Sequence, residues 1–182
     1  MKRWALIVLA ISLLLLAGCG EGEAKAFLGF AEQVKSAEEI SFNAEVRAEY
    51  SSISANFELA FSEKDGNATV EILKPDILKG IKAHVSKDSA ELEFDGAILD
   101  LSMLSDEISP MSALSVLRRA ITDGHLDLAW EEDGMLCARL VPDDDTVVKL
   151  WLDTETMTPL NAEITKNEKT SVFIKINDWT MN

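Results

Sequence analysis

The sequence predicts a mainly β-structured (α+β) single domain in which about eleven antiparallel strands are covered on one face by two helices. Apolar and polar residues alternate with a period of two along most of the chain, which is typical of strands with one buried and one solvated face. Two segments instead have apolar residues at helical spacing, and Asp-Gly pairs separate several alternating runs. The length of 182 residues suits one core of ordinary size and does not suit two domains.

Residues 1–18 are predicted to be a signal peptide. Lys2 and Arg3 form a positively charged start, and the thirteen residues 4–16 are apolar except for Ser12. This stretch is shorter than the about 20 apolar residues that a transmembrane helix needs. The leader therefore predicts export from the cytoplasm.

The end of the leader, Leu16-Ala17-Gly18-Cys19, resembles the lipobox of bacterial lipoproteins. The resemblance implies that Cys19 receives a diacylglyceryl group and that cleavage occurs in front of it; the alternative is an ordinary signal peptide with a nearby Cys. Two acyl chains anchor a protein stably, at about 0.8 kcal/mol per buried methylene. We predict a lipid-anchored tether at 19–23 and a folded domain at 24–182. The domain is expected on the extracytoplasmic face of the cell membrane. In a two-membrane envelope it is expected at the outer membrane, because the residue after Cys19 is Gly20 and not the Asp that would retain a lipoprotein at the inner membrane.

The charge of the chain excludes some classes of partner. There are 17 Lys and Arg residues against 32 Asp and Glu, giving a formal charge of −15. Nucleic acid binding needs clustered basic residues, and anionic lipid headgroups attract basic segments. We therefore expect no nucleic acid partner and a membrane attachment that depends on the lipid at Cys19. The chain is expected to be a monomer.

The first half of the mature chain is predicted to begin with a helix at 24–39 and to continue as about six strands. The helix is indicated by apolar residues three or four positions apart, namely Phe27, Phe30, Ala31, Val34 and Ala37. Alternation then predicts strands at 40–50, 53–62, 68–72, 80–86, 90–94 and 97–101. Asp65-Gly66 and Asp95-Gly96 are hairpin signals, and Pro75 ends the third strand.

The second half is predicted to hold one inserted helix and about five further strands. Ser109 can cap the helix, Pro110 suits its first position, and Gly124 follows its end. Its apolar stripe is expected to contain Leu114, Leu117, Ala120 and Ile121, with Arg118 and Arg119 toward solvent. Strands are predicted at 126–130, 135–141, 146–152, 160–165 and 171–179. In these strands Trp151 is expected opposite Val148, Leu150 and Leu152, and Trp179 opposite Val172, Ile174 and Ile176.

The residues that most often carry catalysis are scarce and scattered. His84 and His125 are the two histidines, and neither has the neighbours of a zinc site or a catalytic triad. Cys137 lies in an apolar run and is expected to be a buried thiol. Asp143-Asp144-Asp145 lacks calcium-loop spacing and is expected to be a charged turn. We predict no enzyme activity, no cofactor and no metal site.

Several local patterns, in this order, resemble the LolA and LolB lipoprotein-carrier superfamily, with LppX-type lipoproteins as relatives. They are Ile40-Ser41-Phe42-Asn43-Ala44 after a helix, Lys74-Pro75, Phe94-Asp95-Gly96, the helix at Pro110, Leu150-Trp151-Leu152-Asp153, and Met157-Thr158-Pro159-Leu160. The resemblance covers nearly all of residues 24–180. It implies a single curved antiparallel sheet that forms an unclosed half-barrel, with the two helices over its concave side. Members of this superfamily bind acyl chains or other lipids in that cavity.

Two functions are compatible with these observations. The first is a membrane-anchored lipoprotein that binds or carries a lipid or a lipoprotein acyl chain. The residues expected to line its cavity are Phe57, Phe61, Phe94, Leu114, Leu117, Ile121, Trp130 and Trp151. The second is a non-catalytic envelope scaffold or sensor with protein partners, in which the same side chains fill a closed core.

Overall fold

The computed structural model describes residues 21–50, 53–85, 90–100, 109–167 and 169–182. Two α-helices lie in these ranges, α1 (Glu21–Ser36) and α2 (Pro110–Asp123), with a short 3-10 turn at Asp76–Leu78. The strands are β1 (Glu39–Tyr50), β2 (Ile53–Lys64), β3 (Asn67–Lys74), β4 (Lys82–Val85), β5 (Ala90–Phe94), β6 (Ala97–Asp100), β7 (His125–Glu132), β8 (Met135–Asp143), β9 (Thr146–Asp153), β10 (Pro159–Lys166) and β11 (Lys169–Met181).

All eleven strands form one antiparallel sheet in the order β6-β5-β4-β3-β2-β1-β11-β10-β9-β8-β7. The first and last strands in the sequence, β1 and β11, are neighbours in the middle of the sheet. Strands β6 and β7 form its two edges and do not pair with each other, so the sheet is not closed. The predicted fold class, an unclosed half-barrel with two helices, is confirmed. Within the part of the chain that is described, no helix is both long and apolar enough to cross a membrane.

Three of the hairpins turn where the sequence places an Asp-Gly pair. Both residues have positive φ in each case: 52° and 75° at Asp65-Gly66, 50° and 78° at Asp95-Gly96, and 52° and 76° at Asp133-Gly134. Two successive left-handed residues give a turn whose twist matches that of the flanking strands, which is why Asp-Gly fixes these hairpins.

Helix α2 begins and ends at the predicted signals. The Ser109 side chain accepts a hydrogen bond from the backbone N–H of Ser112 at 3.1 Å, and Pro110 occupies the first turn. At the other end, a Cβ on Gly124 would lie 2.4 Å from the carbonyl oxygen of Ala120, so the chain needs glycine to leave the helix here. Helix α1 begins at Glu21, three residues ahead of its predicted start, so 21–23 of the predicted tether are helical.

Both helices pack against the same face of the sheet, here called the helix face. The residues between them are buried and form one continuous core, whose largest fully buried members include Phe27, Ile40, Leu59, Phe61, Leu114, Leu117, Leu140 and Leu150. The opposite face, here called the open face, carries no helix in the described part of the chain.

The orientation predicted for Trp179 is wrong. A bulge in β11, where Asp178 has φ 55°, lets β1 Ser41 pair with Thr180 while Asn43 pairs with Asn177. The extra residue reverses the alternation, so Trp179 lies on the helix face and stacks on Phe42 with ring centroids 5.1 Å apart.

The solvent exposure predicted for Arg118 is also wrong. Its side chain is 13% exposed, and its guanidinium lies 2.9 Å from the Glu63 carboxylate of β2. It also donates a hydrogen bond to the Val34 carbonyl oxygen near the end of α1, at 3.2 Å. Arg118 therefore joins both helices to the sheet, whereas Arg119 remains exposed beside Asp143.

Candidate functional site

The eight residues expected to line a ligand cavity do not come together in one place. Four of them are core residues of the helix face, namely Phe61, Leu114, Leu117 and Ile121. Phe94 is 48% exposed near the β6 edge of the sheet, and Trp130 is half-buried on the open face. The remaining two, Phe57 and Trp151, line a groove.

This groove has a volume of about 800 Å³ and crosses seven neighbouring strands, from β3 to β8 in the sheet order. It is lined by Glu45, Val46, Arg47, Asn56, Phe57, Glu58, Lys74, Pro75, Met135, Trp151, Asn161, Ala162, Glu163, Phe173, Ile174 and Lys175. Val46, Ala162 and Ile174 are core residues, so the floor of the groove follows the middle of the sheet. Most of the other side chains alternate with core residues and therefore belong to the open face.

One cross-strand row of side chains forms the length of the groove. The register pairs its members in sequence, giving the order Lys74, Glu58, Glu45, Lys175, Asn161 and Trp151 across six strands. The row continues beyond the groove through Cys137 to Trp130. Charged groups thus occupy one end of the row and two indole rings the other.

A second row lies two residues along the strands, and contains Asn56, Arg47, Phe173 and Glu163. The Arg47 guanidinium carbon lies 4.3 Å from the centroid of the Phe173 ring, a cation–π contact. Arg47 also forms an ion pair with Glu49 at 3.3 Å. The contact with Phe173 places a positive charge and an aromatic surface side by side on the groove floor.

The charges of the first row are paired. The Lys175 ammonium donates a hydrogen bond to Glu45 at 2.9 Å, and this bond and its positive charge hold the pKa of Glu45 below its ordinary value. Likewise, the Lys74 ammonium donates to Glu58 at 2.7 Å, which raises the pKa of Lys74. Glu45 and Lys74 therefore stay ionised at neutral pH.

The groove is electrically balanced in a strongly acidic chain. It contains three cations, Arg47, Lys74 and Lys175, and three carboxylates, Glu45, Glu58 and Glu163. The chain as a whole carries −15. The groove is consequently much less negative than the protein surface on average.

At the apolar end, Cys137 lies between Trp151 and Trp130 in the cross-strand register. Although it is on the open face, it is 1% exposed, which confirms the predicted buried thiol. Burial, followed by the nearby charge of Glu132, raises the pKa of Cys137 to about 11. The thiol is therefore protonated at neutral pH and contributes apolar surface here.

A smaller recess of about 200 Å³ lies beside the first turns of α1. Its lining residues come from α1, from two hairpin ends and from β8, and are Gly22, Glu23, Ala26, Glu131, Leu136, Thr154 and Met157. It is a quarter of the size of the groove, and two of its seven lining residues are acidic.

The histidines are engaged differently from each other. His84 is half-buried, with Nε2 2.8 Å from the Glu93 carboxylate and Nδ1 3.2 Å from the Thr69 hydroxyl, while His125 is exposed. Within the described ranges, no group of three or more His, Cys, Asp or Glu side chains is arranged to hold a metal ion.

No protein-family model matches the chain, and no curated protein is similar to it in sequence. Solved structures do have a similar fold. An uncharacterized conserved protein from Thermus thermophilus superposes with a TM-score of 0.51 at 10% identity, covering 87% of each chain. A DUF1329 family protein from Desulfovibrio piger superposes with a TM-score of 0.50 at 10% identity, covering 86% of this chain and 91% of the other.

A LolA superfamily protein from Nitrosomonas europaea is also similar, with a TM-score of 0.48 and 13% identity over 87% of this chain and 93% of the other. At 10% identity, the Thermus thermophilus and Desulfovibrio piger structures show the fold alone. The unclosed half-barrel expected from the sequence is the fold of this chain.

Proposed function

We propose that this chain is an envelope lipoprotein, anchored through Cys19 on the extracytoplasmic face of a membrane, that binds a lipid or another acyl-chain ligand in the groove of its open face. The observation that carries this proposal is the groove of about 800 Å³, whose lining includes the aromatic side chains of Phe57, Trp151 and Phe173. Its volume falls within the range of about 300–1,000 Å³ that is typical of small-molecule sites.

The aromatic content of the groove supports a ligand rather than a purely solvated surface. Trp151, Phe173 and Met135 are half-buried side chains on a face whose other positions are largely polar. Contiguous apolar surface on a soluble domain commonly marks a binding site, because its contact with water is unfavourable. An acyl chain in the groove would cover this surface.

A titration with a neutral fluorescent monoacylglycerol tests whether the groove binds acyl chains. We expect Trp151→Ala to weaken binding at least about tenfold, equivalent to about 1.4 kcal/mol. Phe94→Ala is the matched control, because Phe94 is a half-exposed aromatic residue outside the groove, and it should bind as the parent does. Absence of binding to the parent, or equal effects of the two variants, would contradict the proposal.

The anchor is tested separately by Cys19→Ser. We expect this variant to accumulate as an unprocessed precursor that lacks the lipid, whereas the parent is processed and recovered with membranes. The measurement is the intact mass of the protein in membrane and soluble fractions. Cleavage at the same bond in the variant, with continued membrane association of the cleaved protein, would overturn the lipoprotein assignment.

The packed helix face favours a second candidate, a non-catalytic envelope scaffold or sensor. Leu114 and Leu117 are fully buried in one continuous core, which supports α2 as a structural helix rather than a cover over a ligand cavity. Mass spectrometry of the protein purified from its native membrane separates the two candidates. A lipid bound in addition to the covalent anchor supports a carrier, and a persistently empty protein supports the scaffold.

A further inference from the structure

The first cross-strand row of the groove changes in polarity from one end to the other. The end formed by β3, β2, β1 and β11 carries Lys74, Glu58, Glu45 and Lys175 in neighbouring register positions. The end at β9 carries Trp151, with the uncharged Asn161 between them. A ligand that matches this gradient has a charged group at one end and an apolar chain at the other.

The charged end presents both signs to a ligand. Its two ion pairs join Lys74 to Glu58 and Lys175 to Glu45, and the four side chains are 43–62% exposed. Exposed ion pairs contribute little to the stability of a fold, so ligand charges can replace them at little cost. A purely anionic group would meet the carboxylates, and a purely cationic group would meet the ammonium groups. A group with one charge of each sign would find a partner for both.

The length of the row fits one lipid molecule. From Lys74 to Trp151 the row takes five steps between neighbouring strands, which at about 4.8 Å each gives about 24 Å. A bilayer with its headgroups is about 40–45 Å thick, so a single lipid extends about 20–22 Å. The row is therefore long enough for one headgroup and its chain, and too short for two lipids end to end.

We infer that the groove binds one molecule of a zwitterionic, phospholipid-like amphiphile in preference to neutral or singly charged amphiphiles. Its headgroup lies against the charged end of the row, with the phosphate toward Lys175 and the ammonium toward Glu45 and Glu58, and its chain extends to Trp151. This inference rests on the proposed function, because it names the ligand class of the same groove.

Four probes with the same acyl or alkyl chain length test the inference below their micelle-forming concentrations. They are a neutral monoacylglycerol, zwitterionic lysophosphatidylcholine, anionic lysophosphatidylglycerol and a cationic alkyltrimethylammonium salt. We expect lysophosphatidylcholine to bind the full-length mature protein at least about tenfold more tightly than each of the other three. Equal binding of all four, or tighter binding of a probe with a single charge, would overturn the inference.

Variants locate the selectivity. Lys175→Met and Glu45→Gln should each reduce the preference for lysophosphatidylcholine over the monoacylglycerol by several-fold, because they remove the charges that face the phosphate and the ammonium. The matched control is Lys82→Met, since Lys82 pairs with Glu71 at 3.7 Å on the same face but outside the groove, and it should keep the full preference. A loss equal to that of the groove variants would contradict the assigned position of the headgroup.

The outcomes also separate this inference from the function on which it rests. If the neutral monoacylglycerol binds and Trp151→Ala removes its binding, the groove is an acyl-chain site whatever the headgroup result. Failure of headgroup selectivity then overturns the zwitterionic assignment alone. If none of the four probes binds, both the proposed function and the ligand class are overturned.

Discussion

Asp153 organises the turn between β9 and β10. One carboxylate oxygen accepts hydrogen bonds from the backbone N–H groups of Glu155 and Thr156, at 3.0 and 2.7 Å, and from the Thr156 hydroxyl at 2.8 Å. The backbone N–H of Asp153 donates to the carbonyl oxygen of Thr158, which closes the turn before Pro159. Asp suits this position because its short side chain places a carboxylate oxygen where it accepts hydrogen bonds from the backbone N–H groups two and three residues later.

The turn should make stability depend on pH. The Thr156 backbone and hydroxyl hydrogen bonds hold the pKa of Asp153 below its ordinary value. Because the folded pKa is lowered, the charged carboxylate stabilises the fold above the unfolded pKa of about 3.9, and this contribution is lost as the pH falls through the lower folded value.

Asp153→Asn tests this dependence, since the amide keeps one acceptor oxygen and loses the charge. We expect the variant to have a lower Tm than the parent at pH 7, with the difference shrinking below about pH 4. Paired thermal unfolding scans across this range measure it. The nearby exposed Glu155→Gln is the control and should show no such trend; a pH-independent difference for Asp153→Asn would contradict the assigned role of its charge.

At the scale of elements, α2 contributes its apolar stripe to the core of the helix face. The helix contacts β1, β2, β3, β8 and β10 of the sheet, and Leu117 is 1% exposed. Arg118, one position further, fixes the helix to Glu63 and to the end of α1. The helix is therefore held by both apolar and ionic contacts.

Leu117→Ala distinguishes a packed helix from a lid over a void. We expect the substitution to lower the free energy of unfolding by about 2–5 kcal/mol, as core truncations do. Leu128→Ala is the control, because Leu128 is 54% exposed on β7, and it should change stability by less than about 0.5 kcal/mol. Urea denaturation measures both; a cost below about 1 kcal/mol at Leu117 would show that α2 covers a cavity after all.

The strands were predictable because their signals are local. Alternation depends on neighbouring residues, and the hairpins at Gly66, Gly96 and Gly134 depend on two-residue turns that accept positive φ. Trp179 was misplaced because the bulge at Asp178 satisfies a long-range pairing with β1, and no local pattern marks it. The partner of Arg118 is likewise a residue of a distant strand.

The groove was only partly predictable for the same reason. Alternation places Trp151 opposite the core residues of its own strand, and the structure confirms this. Its neighbours across the sheet, however, depend on which strands pair, and Glu45 and Lys175 are 130 residues apart in the chain. Alternation within one strand predicts which face of the sheet a residue lies on. Predicting which residues form the cross-strand row would require the register of six paired strands.

At the scale of the whole molecule, the sheet is held together by the pairing of its two most distant strands. Strand β11 lies between β1 and β10. It therefore joins the six strands that precede α2 to the other four strands that follow it, β7 to β10. The C-terminal residue Asn182 also accepts a hydrogen bond from the backbone N–H of Glu38, at 2.8 Å. Pairing at such a sequence separation is entropically costly to form and is expected to be slow.

Deletion of residues 170–182 should therefore prevent folding rather than trim an end. It removes the central strand, exposes the edges of β1 and β10 together, and uncovers core residues that pack on Val172, Ile174 and Ile176. We expect the truncated chain to lose its cooperative urea transition and to aggregate, while deletion of Asn182 alone keeps the transition with a lower midpoint. Circular dichroism and light scattering on both proteins measure this. A truncated chain that unfolds cooperatively at the parent's midpoint would mean that the two halves of the sheet fold without their central strand.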